Sequence, residues 1–244
     1  MTKKAVVTGA ASGIGRAVGD VLGARGYQVL RVDRDRAGLE RSAGENDQTL
    51  VADLASADGL EEVVAAAAGS DALVNAAGII LLKPIIEVTL ADLRRLFTVN
   101  FDAVWELTSR IGWTMPSGGA IVNLSSSSAK LANTTEAAAY AATKTAILSL
   151  TRSFAYAFAS SNVRVNAVCP GIIDTPMQDA VLAQVSTERG ISAAELSAAR
   201  NTSVPLGRSA SAAECAQVIH FLLSDESSYL TGQAINVTGG LVTW

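Results

Sequence analysis

The sequence predicts an α/β fold: a single doubly wound parallel sheet with helices on both faces. Two observations carry that expectation. Short apolar runs alternate with longer helical patterns along the 244-residue chain. The first apolar run also passes through a glycine-rich turn straight into a helical pattern, the order in which such sheets begin. Strands are expected near 3–8, 27–33, 48–52, 71–75, 119–125, 163–168 and 233–237, and helices near 13–25, 57–68, 89–112, 136–159 and 211–224. Residues 1–244 form one domain, with no internal repeat and no linker. In such sheets a ligand lies at the carboxyl edge of the strands, where Thr8, Asp33, Asn75, the run Ser125 to Ser128 and Pro170-Gly171 all gather.

The first junction has a specific chemistry. Lys4-Ala5-Val6-Val7-Thr8 reads as a buried strand, Gly9-Ala10-Ala11-Ser12-Gly13-Ile14-Gly15 as the turn, and a helix starts with Arg16-Ala17-Val18. Glycines let the backbone approach a pyrophosphate, and the helix N-terminus offers free N–H groups and a positive dipole. The spacing is Gly-x-x-x-Gly-x-Gly, which differs from the general dinucleotide fingerprint. A second strand, Tyr27 to Val32, ends in Asp33, 18 residues after Gly15. A carboxylate there can bind adenosine ribose hydroxyls and repels a 2′-phosphate, which favours NAD over NADP. Arg34 next door is the opposing feature, since an arginine there accommodates that phosphate. Asp33 could equally serve as a turn or helix-cap residue.

Tyr140 and Lys144 stand four apart in Ala138-Ala139-Tyr140-Ala141-Ala142-Thr143-Lys144, a stretch of good helix formers. They therefore share one helix face. A cation beside a phenol favours the phenolate and lowers its pKa, which suits proton transfer near neutral pH. An isolated pair at this spacing is also an ordinary surface feature of helices.

Taken together, these motifs resemble the short-chain dehydrogenase/reductase family, whose fold is Rossmann-like. The resemblance rests on Thr8 to Gly15, on Asn75-Ala76-Ala77-Gly78, on Thr98-Val99-Asn100-Phe101, on Ile121 to Ser127, on Tyr140-x-x-x-Lys144, on Cys169 to Thr175 and on Gly232 to Gly240. It implies a catalytic set of Asn100, a serine, Tyr140 and Lys144. It also implies cofactor contacts from Gly9, Ser12, Gly13, Ile14, Gly15, Asp33, Asp53, Leu54, Asn75, Ala76, Gly78, Tyr140, Lys144, Pro170, Gly171, Ile173 and Thr175. In most members of that family the catalytic serine precedes the tyrosine by thirteen residues, which by resemblance selects Ser127. Alignment on Asn123-Leu124-Ser125-Ser126 selects Ser126 instead. Neighbouring strand residues face opposite ways, so only one of the two points into the pocket. Ser127 is favoured here. By the same resemblance Lys144 holds the nicotinamide ribose, Asn100 anchors a water relay, and relatives form homotetramers through the two long helices.

Composition excludes several classes. The formal charge is −4 and no basic tract occurs, which argues against a nucleic-acid partner. Cys169 and Cys215 are too few for a disulfide framework. The single histidine, His220, lies in an apolar helical run, so no metal site is expected. No apolar run of about 18 residues occurs, and none near the N-terminus suits a signal peptide, so a cytoplasmic protein with no membrane contact is expected.

The segment at about 172–208, with Pro176, Gly190, Pro205 and Gly207, breaks the alternation and suits a cover over the substrate. A surface helical hairpin is its plainer reading. Ile79, Ile80, Ala129, Leu131, Ile172 and Met177 are the expected pocket walls, with Lys130 and Glu136 near in sequence. Apolar walls without an arginine clamp point to a neutral secondary alcohol or its ketone: a polyol, a cyclic alcohol, a hydroxyketone or a steroid-like ring. A 3-oxoacyl-carrier reductase is the second enzymatic reading. An NAD(P)-sensing regulator is the non-enzymatic one, because fold alone does not fix function. Ala146, Leu150, Phe154 and Phe158 recur at helical spacing and suit either core or a subunit interface.

Overall fold

Runs such as Ala-Val-Val and Ala-Ile-Val carry apolar side chains on both faces of a strand, which only a sheet covered on both sides can bury. The computed structural model describes residues 2–131 and 135–244. Its main sheet contains β1 (Lys4–Thr8), β2 (Gln28–Asp33), β3 (Gln48–Val51), β4 (Ala72–Asn75), β5 (Ala120–Leu124), β6 (Arg164–Pro170) and a last strand, Ala234–Val237. Two short strands, β7 (Ile173–Asp174) and β8 (Ala210–Ser211), pair with each other, so the last strand is β9. The sheet order is β3-β2-β1-β4-β5-β6-β9, with all neighbours parallel. Strand order reverses between β1 and β4, and a crevice opens beyond their carboxyl ends.

The helices are α1 (Gly13–Ala24), α2 (Arg36–Ser42), α3 (Ala57–Ala66), α4 (Leu90–Phe97), α5 (Ala103–Gly112), α6 (Ala138–Phe158), α7 (Pro176–Arg189), α8 (Ala193–Thr202) and α9 (Ala212–Leu223). One core layer joins Leu73, Ile121 and Val165 to Leu107, Ile111, Ile147 and Phe158. The other joins Val74 and Val122 to Val18, Leu22, Leu39, Ile219 and Leu222. Adjacent strand residues such as Leu73 and Val74 thus serve opposite layers, as the strand period requires. Leu150, Phe154 and Phe158 of α6 are buried, so that stripe is core.

Three helical expectations change. The helix expected over 89–112 is α4 and α5 joined by a π-helical turn, Thr98–Asp102. Its start is fixed by a capping box, with Thr89 and Asp92 bonding each other's backbone N–H. The short helix α2 went unforeseen, although Asp35 caps it by accepting from Gly38 N–H. The covering segment holds two helices where the sequence suggested one stretch, at Ala193–Ala199. Helix α7 has Thr175 as its N-cap, Pro176 at its first position and Gly190 at φ 63° as its stop. Among the described residues no helix is long and apolar enough to cross a membrane.

Arginines are also buried outside the crevice, Arg31 most completely. Arg31 of β2 is 2% exposed and donates to Asp47 at 2.6 Å and to Asp20 at 2.9 Å. Gly19 leaves the room for it, since a Cβ there would lie 2.6 Å from the guanidinium carbon. Removing the charge of Asp47, the buried partner, leaves the buried guanidinium with the exposed Asp20 carboxylate alone. Asp47→Asn should therefore lower unfolding stability by about 3 kcal/mol, measured by urea denaturation.

Candidate active site

The carboxyl ends of β1 and β4 are tied by one side chain. The Thr8 hydroxyl accepts from Ala76 N–H and Ala77 N–H, each at 3.1 Å, and donates to the Val74 carbonyl. The turn after β1 packs against the same segment. Gly9 has φ 68°, and a Cβ there would lie 2.8 Å from the Ala77 backbone. A Cβ on Gly15 would lie 2.2 Å from the Gly9 carbonyl oxygen. Only glycine fits either position, which leaves a bare backbone cradle at the start of α1. That helix has no acidic residue in its first turn, and the Ser12 hydroxyl makes no cap bond. Free N–H groups, a helix dipole and no competing carboxylate suit a pyrophosphate.

Asp33 at the end of β2 is held in place. It accepts from Ala11 N–H at 3.1 Å and from Asp35 N–H at 3.0 Å. A cleft of about 680 Å³ runs from this carboxylate past the glycine turn to α6 and the covering helices. Gly9, Ser12, Gly13, Ile14, Gly15, Asp33, Asp53, Leu54, Ala76, Gly78, Ser127, Tyr140, Lys144, Pro170, Gly171, Ile173 and Thr175 line it, as does Arg34. The donor and acceptor pattern fits a dinucleotide.

Asn75 and Asn100 do not line the cleft. The Asn75 amide is buried and donates to Asn123 at 2.8 Å and to Thr108 at 3.1 Å, so it links β4 to β5 and α5. Its side chain is therefore engaged within the sheet and not in the cleft lining. Asn100 sits fully buried in the π-helical turn. Its amide donates to the Ile79 carbonyl and the Thr143 hydroxyl and accepts from Ile79 N–H at 2.9 Å. It therefore fixes the cleft floor at Gly78–Ile79 against α6.

Ser126 and Ser127 both line the cleft, and Ser126 is the one that acts on the Tyr140 ionisation. The backbone stays extended through Ser126, whose hydroxyl accepts from Ser128 N–H at 3.1 Å and acts to lower the Tyr140 pKa. The chain turns into a 3-10 helix at Ser127–Ala129, so Ser127 leaves the strand alternation on which the spacing argument depends. The signal that identifies Ser126 is the Asn123-Leu124-Ser125-Ser126 match. Ser125 faces α6 and donates to the Lys144 carbonyl at 2.7 Å.

The Lys144 ammonium donates to the Leu124 carbonyl at 2.8 Å and lies 5.8 Å from the Tyr140 ring centre. Burial depresses its pKa to about 8. Burial also raises the Tyr140 pKa, against a smaller lowering by the Ser126 hydrogen bond. The lowering expected from Lys144 is not among the influences on the phenol. The ammonium is committed to a carbonyl and lies over the ring, and desolvation favours the neutral form of both groups. The free protein holds a neutral phenol, a proton donor.

Ile79, Ile80, Ile172 and Met177 form cleft walls as expected, and Glu136 lines it too, whereas Ala129, Lys130 and Leu131 do not. Lys130 donates instead to the carbonyls of Ala234 and Trp244. Val181, Val185, Glu188, Arg189, Leu196 and Arg200 of α7 and α8 complete the lining, and sequence reasoning named none of them. Helix α7 is tethered across the cleft by Gln184, which donates to the Leu82 carbonyl at 3.1 Å. Among the described residues no cluster of three or more His, Cys, Asp or Glu could hold a metal ion.

A crevice at the strand switch, a glycine cradle and a Ser-Tyr-Lys set on the cleft wall define a nicotinamide-dependent oxidoreductase. The family model described as enoyl-(acyl carrier protein) reductase matches residues 9–242. L-2,3-butanediol dehydrogenase of Corynebacterium glutamicum is 33% identical, over 99% of this chain and 99% of that protein. The 3-oxoacyl-(acyl-carrier-protein) reductase of Thermotoga maritima is 34% identical, over 98% of each. A variant of actinorhodin polyketide ketoreductase, solved with NADPH, has a TM-score of 0.92 at 30% identity, covering 100% of this chain and 98% of that one. The chain belongs to the short-chain dehydrogenase/reductase family. It is an oxidoreductase acting on alcohol carbons or their carbonyls.

Removing the Ser126 hydroxyl deletes the one interaction that lowers the Tyr140 pKa. Ser126→Ala should therefore move the Tyr140 ionisation to higher pH, followed by phenolate ultraviolet absorbance against a Tyr140→Phe blank. Ser127→Ala should leave it in place.

Proposed function

We propose that the protein is an NAD-dependent dehydrogenase/reductase whose reacting centre is an uncharged secondary alcohol or ketone, of diol, polyol or hydroxyketone type. The observation that carries this reading is the Ser126–Tyr140–Lys144 set on a cleft wall that also contains the glycine cradle. A bound nicotinamide would supply or accept the hydride at the reacting carbon. In reduction, Ser126 and Tyr140 donate hydrogen bonds to the carbonyl oxygen. Tyr140 then gives up its proton as that oxygen gains charge, and Lys144 stabilises the phenolate left behind. Oxidation reverses these proton movements. Asn100 acts at one remove, by holding Gly78 and Ile79. The apolar walls Ile79, Ile80, Ile172 and Met177 suit a carbon skeleton and exclude water.

Asp33 supports NAD as the cofactor. Its carboxylate is fixed by two backbone N–H groups and faces the cleft, where a 2′-phosphate would be repelled. Exposed Trp105 on α5, Trp113 just after it and Tyr156 on α6 offer an apolar outer face for subunit contact, which supports a homotetramer.

Tyr140→Phe should keep cofactor affinity, read by calorimetry, and lose at least about a hundredfold in kcat, the usual scale of a missing general acid. Near-normal turnover in that variant would refute the assignment. Asp33→Asn retains an oxygen acceptor but removes the charge. It should shift the ratio of kcat/KM values for NAD and NADP toward NADP by about tenfold or more, the scale of roughly 1.4 kcal/mol.

A further inference from the structure

Two guanidinium groups in the cleft have no part in the reaction above. Arg200 lies in the last turn of α8 and Arg189 in the last turn of α7, and both line the cleft. Arg200 is half-buried, and among the described residues no carboxylate pairs with it. The carboxylates of the lining are placed otherwise. Asp33 accepts from Ala11 and Asp35, Asp53 from Ala55, and Glu188 from Gln184. The charge that Arg200 feels from its surroundings is Arg189, of like sign, which adds to burial in pushing its pKa down.

A partly buried arginine is ordinarily paired. The helix C-terminus offers a fractional negative charge, which explains how the fold tolerates the cation without neutralising it. It does not engage the directed fork of N–H donors that matches a carboxylate or phosphate in two places. Two such cations lining one cleft lower the potential energy of an anion and raise that of each other. An oxyanion between or beside them relieves both.

We propose that Arg200, assisted by Arg189, recognises an anionic group on the substrate, a carboxylate, at the end remote from the reacting carbon. The inference rests on the reading that this cleft is where the alcohol is oxidised. Leu196, Val181 and Val185 of the same two helices line the cleft with these arginines and suit the intervening carbon chain. The substrate class is then a hydroxy acid or its oxo acid, uncharged where hydride is transferred and anionic where the covering helices close over it.

The test is calorimetric and needs no turnover. Into protein saturated with NAD, 3-hydroxybutyrate is titrated against 3-hydroxybutyramide, and gluconate against gluconamide. Each pair shares its skeleton and differs in charge. At least one acid should bind about tenfold more tightly than its amide, the scale of a charge-assisted hydrogen bond. Arg200→Gln should erase the difference, and Arg200→Lys should restore part of it, because lysine keeps the charge and loses the fork. Equal affinity within both pairs, no binding by either acid, or a preference that survives Arg200→Gln overturns the proposal. So does a tenfold loss of NAD affinity in Arg200→Gln with the acid preference intact, which would assign the guanidinium to the cofactor phosphates. Acid binding that depends on Arg200, without oxidation of any compound, would uphold the anion site and refute the redox reading of the cleft.

Discussion

Helix α6 is fastened to the end of β5 by three consecutive residues, and the chemistry of the site depends on that fastening. The Asn123 amide donates to Thr151, the Lys144 ammonium donates to the Leu124 carbonyl, and the Ser125 hydroxyl donates to the Lys144 carbonyl. The next residue, Ser126, is thereby delivered to Tyr140. A helix held this way cannot slide or rotate without breaking buried hydrogen bonds, each of which would leave an unsatisfied polar group costing roughly 1–3 kcal/mol. The same contacts bury Lys144 and bring Tyr140 up against protein. Desolvation, more than charge pairing, then sets which form of each group is populated. The resting state is a phenol ready to donate and an ammonium ready to lose its proton.

The rest of the fold brings a ligand to that pair. Thr8 joins the ends of β1 and β4, Asn75 joins β4 to β5 and α5, and Asn100 joins the cleft floor to α6. These buried polar side chains form ties between the elements on either side of the switch point. They fix the distance between the glycine cradle and Tyr140, and in proximity catalysis that distance is decisive. The π-helical turn at Thr98–Asp102 is part of this arrangement, because it interrupts a regular helix where Asn100 must turn to the Ile79 backbone. The covering helices are held more lightly, by the side chain of Gln184 across the cleft and by Thr175 against the glycine turn.

Much of this was legible in the residues. Strand positions follow from apolar runs of the right length, and the seven main strands lie within two residues of expectation at each end. The cradle was legible because glycine at Gly9 and Gly15 has a steric reason, and Tyr140 and Lys144 because helix spacing fixes a shared face. What escaped depended on departures from regular geometry. The strand gives way to a 3-10 helix at Ser127, which no periodicity signals, so strand alternation could not choose between Ser126 and Ser127. The π-helical turn left no mark on the helical pattern over 89–112. Helix α7 could have been read from Thr175-Pro176 and Gly190, a start and a stop that local chemistry defines. Arg189 and Arg200 were invisible as site residues, because their approach to the cleft depends on how two helices fold back over it. The neutral substrate expected from the apolar walls describes the reacting end alone.

The central claim is that burial, and not the neighbouring phenol, sets the proton affinity at Lys144. Isotope-detected nuclear magnetic resonance of the lysine ammonium groups in the free protein, with Lys144→Met for assignment, measures it directly. The folded-state pKa is depressed, so the ammonium persists below the midpoint and is lost as pH rises through it. Lys144 should titrate at about 8. Titration in the ordinary lysine range, near ~10.4, would contradict the account.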